Sequence, residues 1–269
     1  MAITRLQGDI LKLLAPSRRQ HGESYVAGGV GLNLWLATPR QSRDIDLFHG
    51  TEEAIAATWA ADRALLSSRG FVLDILREAP SFIEARVTRD HERTIIQWAR
   101  DSAYRFFPLI EDELMGLALH PFDLATNKVL AMAGRLEARD WIDILNCDER
   151  IQPLGYLLWA ACGKDPGYNP QSLLAIIARA HYSQAELDAL DFEGAHPDAR
   201  ELGQRWHAIL HAAGDIVNII PAEKIGMCAA RCNGELFRGT ADDLNVALQR
   251  DAIRFHAGRI GGAWPSFKS

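Results

Sequence analysis

The most informative part of this chain reads YVAGGVGL over residues 25–32 and RQSRDIDLF over residues 40–48. The first stretch is typical of a short apolar strand that ends in a glycine pair and leads into a helix. The second predicts another strand, on which Asp44 and Asp46 project to one side because alternate residues of a strand share a face. We therefore expect two carboxylates beside a glycine-rich turn.

Together, the glycine pair and the aspartate pair are typical of phosphoryl or nucleotidyl transfer. Gly28 and Gly29 would let the backbone approach a triphosphate, and the free N–H groups of a helix starting near Val30 would favour the anion. Asp44 and Asp46 would hold Mg²⁺, which prefers hard oxygen ligands. Each half alone is weak evidence. The alternative interpretation is an ordinary tight turn followed by an edge strand with solvated acids.

Length, composition and charge narrow the classes of protein. The chain has 269 residues, of which 48% are hydrophobic, and this suits one or two domains with a sizeable core. The net charge of -6 argues against a surface-wide electrostatic grip on nucleic acid but is compatible with a local basic groove. The richest basic region spans 77–105, where acids are interleaved with the arginines. We interpret it as solvated strand faces.

Other features are interpreted as structural. The four cysteines lack the paired spacing of a zinc site and are expected to be reduced thiols. His49, at the end of the Asp-x-Asp strand, is interpreted as a polar surface residue. No run approaches the roughly eighteen apolar residues of a membrane span, and residues 1–14 read as an amphipathic helix rather than a secretory signal. We therefore expect a cytoplasmic protein with no membrane partner.

Hydrophobic periodicity predicts an α+β fold. We expect a mixed sheet with helices over residues 1–115, a helical domain over 116–220 and a small α+β segment over 221–269. The expected elements of the first part are helices near 4–15, 30–37 and 52–68, strands near 24–28, 44–48 and 71–75, and a hairpin formed by 82–88 and 94–98. The later parts should contain helices from 121, near 154–162, 171–181, 199–217 and 241–248, and a hairpin over 225–237 turned at Asn233-Gly234.

A second group of polar residues lies in the expected helical domain. Read as one helix, the segment places Lys128 and Arg135 seven residues apart and continues at steps of four, so these groups line one side. The group consists of Lys128, Arg135, Arg139, Asp140 and Asp143. Spacing alone leaves two interpretations open, which are a solvated helix with i,i+4 Arg-to-Asp pairs and a face turned toward a substrate.

With both groups in view, the chain resembles the nucleotidyl transferase AbiEii/AbiGii toxin family, a branch of the polymerase-beta-like nucleotidyltransferases. The match spans roughly residues 20–180, and the second group is the more discriminating part. The matching residues are Gly28, Gly29, the run Ser42 to Phe48, Lys128, Arg135, Arg139, Asp140 and Asp143. The resemblance implies a nucleotidyltransferase-like mixed sheet followed by a helical part.

The resemblance also implies a function. It is the Mg²⁺-dependent transfer of a nucleotide from an NTP to an RNA, protein or small-molecule acceptor. Asp44 and Asp46 would hold the metal and Lys128 would reach the triphosphate. Substrate binding would further involve Gly28, Gly29, Ser42, Arg43, Arg135, Arg139, Asp140 and Asp143. Family members include the toxins of toxin–antitoxin or phage-defence systems, which implies an antitoxin protein as a partner.

Two positions depart from the family pattern. Val30 stands where relatives carry a serine or threonine whose hydroxyl can bond a phosphate. Gln97 stands where the superfamily supplies a third carboxylate, and Asp101 would replace it only if its strand ended early. These departures favour an alternative, a catalytically impaired nucleotide-binding or partner-binding protein on the same scaffold. A phosphohydrolase using the same carboxylates is a third class, but no residue is placed as its hydrolytic base.

Overall fold

The structure, a computed structural model, describes residues 3–265 and divides into two units. The first unit comprises Met1–Ala103, Leu109–His120 and Asp191–Glu193. The second comprises Tyr104–Pro108, Pro121–Leu190 and Gly194–Ser269. Residues 1–2 and 266–269, which begin and end the predicted ranges 1–115 and 221–269, lie outside the described residues.

Strands dominate the first part of the chain and helices dominate the second. Up to residue 120 the elements are α1 (Arg5–His21), β1 (Ser24–Ala27), α2 (Gly28–Leu36), β2 (Asp44–His49), α3 (Glu52–Ser68), β3 (Val72–Ala79), β4 (Phe82–Arg89), β5 (Glu92–Arg100), β6 (Tyr104–Arg105), β7 (Ile110–Asp112) and β8 (Gly116–Ala118). The elements after residue 120 are α4 (Pro121–Arg135), α5 (Ala138–Arg150), α6 (Leu154–Ala161), α7 (Pro170–Ile177), α8 (Gln184–Asp188), α9 (Ala199–Ile219), a 3₁₀ turn (Ala222–Lys224), β9 (Met227–Arg231), α10 (Ala241–Gln249), β10 (Ile253–Ala257) and β11 (Arg259–Ile260).

The first unit is built on a mixed sheet with the strand order β3-β4-β5-β2-β1-β8-β7. In its centre β2 runs parallel to β5 and antiparallel to β1, and β4 and β5 form the expected antiparallel hairpin. Alternate residues of β2 are buried, so Ile45 and Leu47 join one core with apolar residues of α1 and α3. This arrangement confirms the predicted α+β class and leaves Asp44, Asp46 and Phe48 on the opposite face of β2.

The core of the first unit also contains charge. Arg18 of α1 and Asp62 of α3 are buried, with 3.7 Å between Arg18 Nη2 and Asp62 Oδ2, and Trp98 Nε1 donates a hydrogen bond to Asp62. Within residues 3–265 the guanidinium nitrogens of Arg18 make no hydrogen bond. Burial lowers the pKa of Arg18 and raises that of Asp62, while their mutual attraction opposes both shifts. The two side chains are therefore held together by electrostatic attraction and by packing, without a hydrogen bond between them.

The second unit is mainly helical. α6 is buried over its whole length and packs against α9. Gly155 of α6 lies so close to Ile216 of α9 that a Cβ built on residue 155 would come within 2.6 Å of the Ile216 side chain. α8 starts at the expected capping box, since the Ser183 side chain accepts from Glu186 N. The helices predicted near 154–162, 199–217 and 241–248 are confirmed within a few residues.

The hairpin predicted over 225–237 is formed, but its pairing is short. Asn233-Gly234 makes the turn, and the backbone hydrogen bonds from Arg231 N to Glu235 O and from Phe237 N to Ala229 O enclose the antiparallel bridge Ala230 to Leu236. The longer ladder of β9, which was not predicted, is formed with β10 in antiparallel register from Ile253–Arg231 to Ala257–Met227. The dipeptide therefore determines the turn, while the more distant strand provides the longer set of backbone hydrogen bonds.

His49 is fully buried, so its interpretation as a surface residue is wrong. As the last residue of β2 it falls on the core-facing side, where its Nε2 lies 2.6 Å from the Thr58 hydroxyl of α3. Burial, with a smaller contribution from the charge of Arg18, lowers the pKa of His49 to about 4. The imidazole is therefore neutral at pH 7.

We expect the free energy of unfolding to fall as the pH is lowered from about 6.5 toward 4. In this window the unfolded chain protonates His49 while the folded protein does not, which removes up to about 3 kcal/mol. Urea unfolding of the protein and of His49→Gln at several pH values measures this effect. The variant should show the shallower pH dependence, and the exposed-site control His21→Gln should not. Equal slopes in all three proteins would contradict the assignment.

Candidate functional site

The first residue of α2, which directly follows β1, lies against an acidic residue of β2. Gly28 has φ +61°, and a Cβ built there would come within 1.6 Å of Asp46 Oδ2. Any side chain at residue 28 would therefore meet both an unfavourable backbone conformation and the carboxylate itself. The main chain at this glycine therefore lies in contact with the Asp46 carboxylate.

The second glycine faces the residues that precede β2. A Cβ on Gly29 would lie 2.5 Å from Ser42 Oγ and 3.3 Å from Arg40 Nη2. The Ser42 hydroxyl in turn donates a hydrogen bond of 3.2 Å to Asp44 Oδ1. The structure thus brings together the first predicted group, which consists of Gly28, Gly29, Ser42, Asp44 and Asp46.

Asp44 and Asp46 share one face of β2, as the alternation of the sequence predicted. Both are half-buried, while Ile45 between them is fully buried. Across the sheet, Asp46 stands beside Gln97 of β5 and Asp44 beside Ile95. The two carboxylates therefore form a pair on a rigid central strand, which holds their spacing better than a loop could.

Arg43, predicted as a substrate-binding residue, extends to the surface. Its side chain is 70% exposed and its Nε lies 2.6 Å from Asp191 Oδ2. The hydrogen bond and the charge of Asp191 raise the pKa of Arg43. The backbone of the Asp191 segment is fixed to the same loop, because Gln41 N donates to Asp191 O at 2.8 Å.

Gln97 occupies the place expected for a third carboxylate, beside Asp46, and it contacts another acid. Its Nε2 donates a hydrogen bond of 2.8 Å to Glu84 Oε2, and the register of the hairpin puts Glu84 opposite Gln97 on β4. Sequence reasoning missed Glu84. Counting back from the hairpin turn at Asp90-His91 would have paired residue 84 with residue 97 and so revealed it.

Asp101 does not replace the missing carboxylate. β5 continues to Arg100 rather than ending early, so Asp101 lies four residues beyond Gln97, roughly 13 Å along the strand direction. There it accepts a hydrogen bond of 2.6 Å from the Tyr25 hydroxyl. Among residues 3–265 no three or more His, Cys, Asp or Glu side chains are grouped to hold a metal. Asp44 and Asp46 suit Mg²⁺, which commonly takes one or two carboxylates together with substrate phosphates.

The second predicted group lies on two helices, so its interpretation as one continuous helix is wrong. α4 ends at Arg135, Leu136 adopts a left-handed conformation with φ 49°, and α5 begins at Ala138. The Leu136 N–H bonds to Met132 O and closes the last turn of α4. The charged residues therefore meet across a helix–turn–helix corner and not along a single face.

At this corner Lys128 is buried between two acids. Its Nζ lies 3.0 Å from Asp140 Oδ1 and 2.9 Å from Asp143 Oδ2. Arg135 binds Asp140 with two nitrogens, at 2.6 and 3.0 Å. Burial alone would raise the pKa of Asp140, but Arg135 and Lys128 together lower it below its ordinary value. Asp140 is thus an ionised partner of Lys128.

Arg139 forms its ion pair outside this group of residues. Its Nε lies 2.6 Å from Glu137 Oε2. Arg139 and Asp143 both lie on α5, but Arg139 pairs with Glu137 and Asp143 with Lys128 in place of the i,i+4 pair. We call Lys128, Arg135, Asp140 and Asp143 the buried cation–acid cluster.

Comparison with solved structures identifies the fold. JHP933 from Helicobacter pylori aligns with a TM-score of 0.55 at 13% identity and covers 80% of this chain and 95% of its own. MenT4, a nucleotidyltransferase toxin from Mycobacterium tuberculosis H37Rv, aligns with a TM-score of 0.51 at 15% identity, over 81% of this chain and 85% of its own. No family model and no curated protein sequence matches the chain. The fold is therefore nucleotidyltransferase-like, as predicted, and membership of the AbiEii/AbiGii family stays a prediction.

Replacing Gly28 by alanine should displace the Asp46 carboxylate. We expect a loss of stability larger than that of Gly22→Ala, because both positions have positive φ but only Gly28 has an atom in the way. The backbone part should cost about 1 kcal/mol in each variant, and the clash should add to it at residue 28. Urea unfolding compares the two variants directly. Equal losses would show that Asp46 can move aside without cost.

Replacing Lys128 by methionine should destabilise the protein by about 3 to 5 kcal/mol, because Asp140 and Asp143 would be left buried without their shared cation. The matched control Lys12→Met, at an exposed site, should change the free energy of unfolding by less than about 0.5 kcal/mol. Adding Asp143→Asn to Lys128→Met should recover part of the loss. A strictly additive double variant would contradict this coupling.

Proposed function

We propose that this protein is a Mg²⁺-dependent nucleotidyltransferase, which transfers a nucleotide from an NTP to an RNA, protein or small-molecule acceptor. The observation that carries the proposal is the contact between the Gly28 main chain and Asp46. It places a helix N-terminus, which favours phosphate, next to a carboxylate pair suited to a magnesium ion. Neither an ordinary tight turn nor a solvated edge strand requires this closeness.

The phosphate groups of the nucleotide would bind at the start of α2. The residue preceding this helix is Ala27, which offers no side-chain cap to the first turn. Backbone N–H groups at helix starts are strong phosphate ligands when no side chain caps them. Val30 is fully buried in the core and offers no hydroxyl, so the backbone would carry this role without the usual serine or threonine.

Asp44 and Asp46 would hold Mg²⁺, which when bound supplies positive charge to the phosphates. The Ser42 hydrogen bond to Asp44 and the packing of Gly28 on Asp46 orient the two carboxylates before any ligand arrives. Lys128, Arg135, Arg139, Asp140 and Asp143 stay predicted substrate-binding residues. In the second unit Asp140 and Asp143 fix the position of the Lys128 ammonium.

The biological role within this proposal is that of a toxin from a toxin–antitoxin or phage-defence system, with an antitoxin protein as partner. The support comes from the family resemblance of the sequence. MenT4, whose fold is similar, is itself a nucleotidyltransferase toxin.

A second candidate function is nucleotide or partner binding without transfer. The hydrogen bond from Gln97 to Glu84 favours it, because the side chain beside Asp46 is a neutral amide that is already engaged. A protein of this kind would be stabilised by Mg²⁺ and an NTP without turning the nucleotide over.

We expect Asp46→Asn to abolish nucleotide transfer, with a loss of about 100-fold or more, because the metal would lose one of its two carboxylates. The assay incubates the protein and Mg²⁺ with each α-labelled NTP, together with total RNA or total protein, and measures the transferred label. EDTA should abolish the signal.

Asp101→Asn is the matched control, since this aspartate bonds Tyr25 and lies away from the carboxylate pair. It should retain transfer. Label that persists in Asp46→Asn would contradict the metal assignment, and thermal stabilisation by Mg²⁺–NTP with no transfer to any acceptor would replace the transferase by the second candidate.

A further inference from the structure

The first unit contains a basic cleft where β2 and β5 begin. Its volume is about 570 Å³, which is the size of a small-ligand pocket. Its charged lining consists of three arginines and one aspartate in a protein whose net charge is -6. The lining residues are Thr4, Gln7, Gln41, Ser42, Arg43, Arg86, Arg93, Thr94, Ile95 and Asp191.

Two of these arginines share the sheet face that carries Asp44. Arg86 of β4 stands opposite Ile95 of β5, and Ile95 stands beside Asp44 of β2. Arg93 precedes Ile95 by two residues and so points to the same face. Strands lie about 4.8 Å apart, so the Arg86 backbone is roughly 10 Å from that of Asp44. The basic cleft therefore borders the carboxylate pair.

Within residues 3–265 neither Arg86 nor Arg93 makes an ion pair or a side-chain hydrogen bond. Two acids on the neighbouring elements pair with other residues, since Glu84 accepts from Gln97 and Asp9 pairs with Arg89. Asp74 stands opposite Arg86 on β3 but does not line the cleft. Like charges on diagonal positions of neighbouring strands repel each other. An anion bound between them would remove this repulsion.

The chemistry of the cleft favours phosphate. Arginine presents a planar fork that binds phosphate oxygens with two hydrogen bonds. Gln41, Ser42 and Thr94 add neutral polar groups, and Ile95 adds an apolar surface. A cleft of about 570 Å³ has room for the end of one nucleic-acid strand. Two arginines of region 77–105, Arg86 and Arg93, thus line one cleft on the sheet face that carries Asp44.

We propose that the basic cleft binds phosphate groups of a single-stranded nucleic acid through Arg86 and Arg93, with Arg43 at its rim. Its role as the acceptor site for transfer rests on the proposed function, whereas the phosphate binding itself does not. The acceptor end would then lie beside Asp44 while the NTP occupies the glycine turn.

The test measures the fluorescence polarisation of a labelled single-stranded RNA of about ten nucleotides, in EDTA and without NTP. Arg86→Gln and Arg93→Gln should each weaken binding about five- to tenfold at 0.1 M salt. Each should also reduce the slope of log affinity against log salt by about 0.7, the contribution of one phosphate contact on a single strand. Arg69→Gln, an exposed arginine of the same unit outside the cleft, should bind like the unchanged protein.

The inference is overturned if the unchanged protein does not bind the RNA, or if both cleft variants bind as tightly as Arg69→Gln. Equal competition by a polyglutamate peptide would also overturn it, since the site would then recognise charge and not phosphate. Melting temperatures with and without Mg²⁺–NTP verify that each variant is folded and still binds nucleotide.

The two proposals fail in different ways. RNA binding that depends on both arginines, in a protein that transfers no nucleotide, supports the phosphate site and removes the transferase. Transfer that proceeds undiminished in the double variant Arg86→Gln/Arg93→Gln removes the acceptor site and leaves the transferase standing.

Discussion

The contact between the Gly28 backbone and the Asp46 carboxylate is the constraint on which the candidate site depends. It requires a residue without Cβ at the first position of α2, directly after β1, and it sets the start of α2 beside Asp46 of β2. The apolar alternation of β2 supplies the other half, because burying Ile45 and Leu47 turns both aspartates to the opposite face. Local backbone chemistry and core packing thus converge on one arrangement of the glycine pair and the two carboxylates.

Much of this arrangement could be predicted because it is encoded locally. The glycine pair, the alternation of β2 and the β4–β5 hairpin all depend on residues close in sequence. Other features were missed because they depend on distant partners or on a single backbone angle. Gly134 lies two residues before the break, but the residue that adopts the left-handed conformation is Leu136, which carries no such signal. The long ladder of β9 is formed with β10, which the local turn signal at Asn233-Gly234 does not indicate. The bond from Gln97 to Glu84 required the exact hairpin register.

Buried charge is treated differently in the two units. In the second unit Lys128 is surrounded by hydrogen-bonded acids, so its charge is compensated at short range. In the first unit Arg18 and Asp62 are 3.7 Å apart, and the guanidinium has no hydrogen-bond partner among residues 3–265. The short-range cluster fixes the positions of its members. The more widely spaced pair of Arg18 and Asp62 constrains the positions of its side chains less.

The pair of Arg18 and Asp62 affects how the stability of the first unit depends on temperature. Removing ions from water becomes less costly on warming, because the hydration free energy of charged groups weakens as temperature rises. The penalty for enclosing Arg18 and Asp62 between α1 and α3 should therefore shrink toward the melting region, where apolar burial gains little more. An ion pair that lowers the free energy of unfolding at low temperature would therefore destabilise the first unit less near its melting temperature.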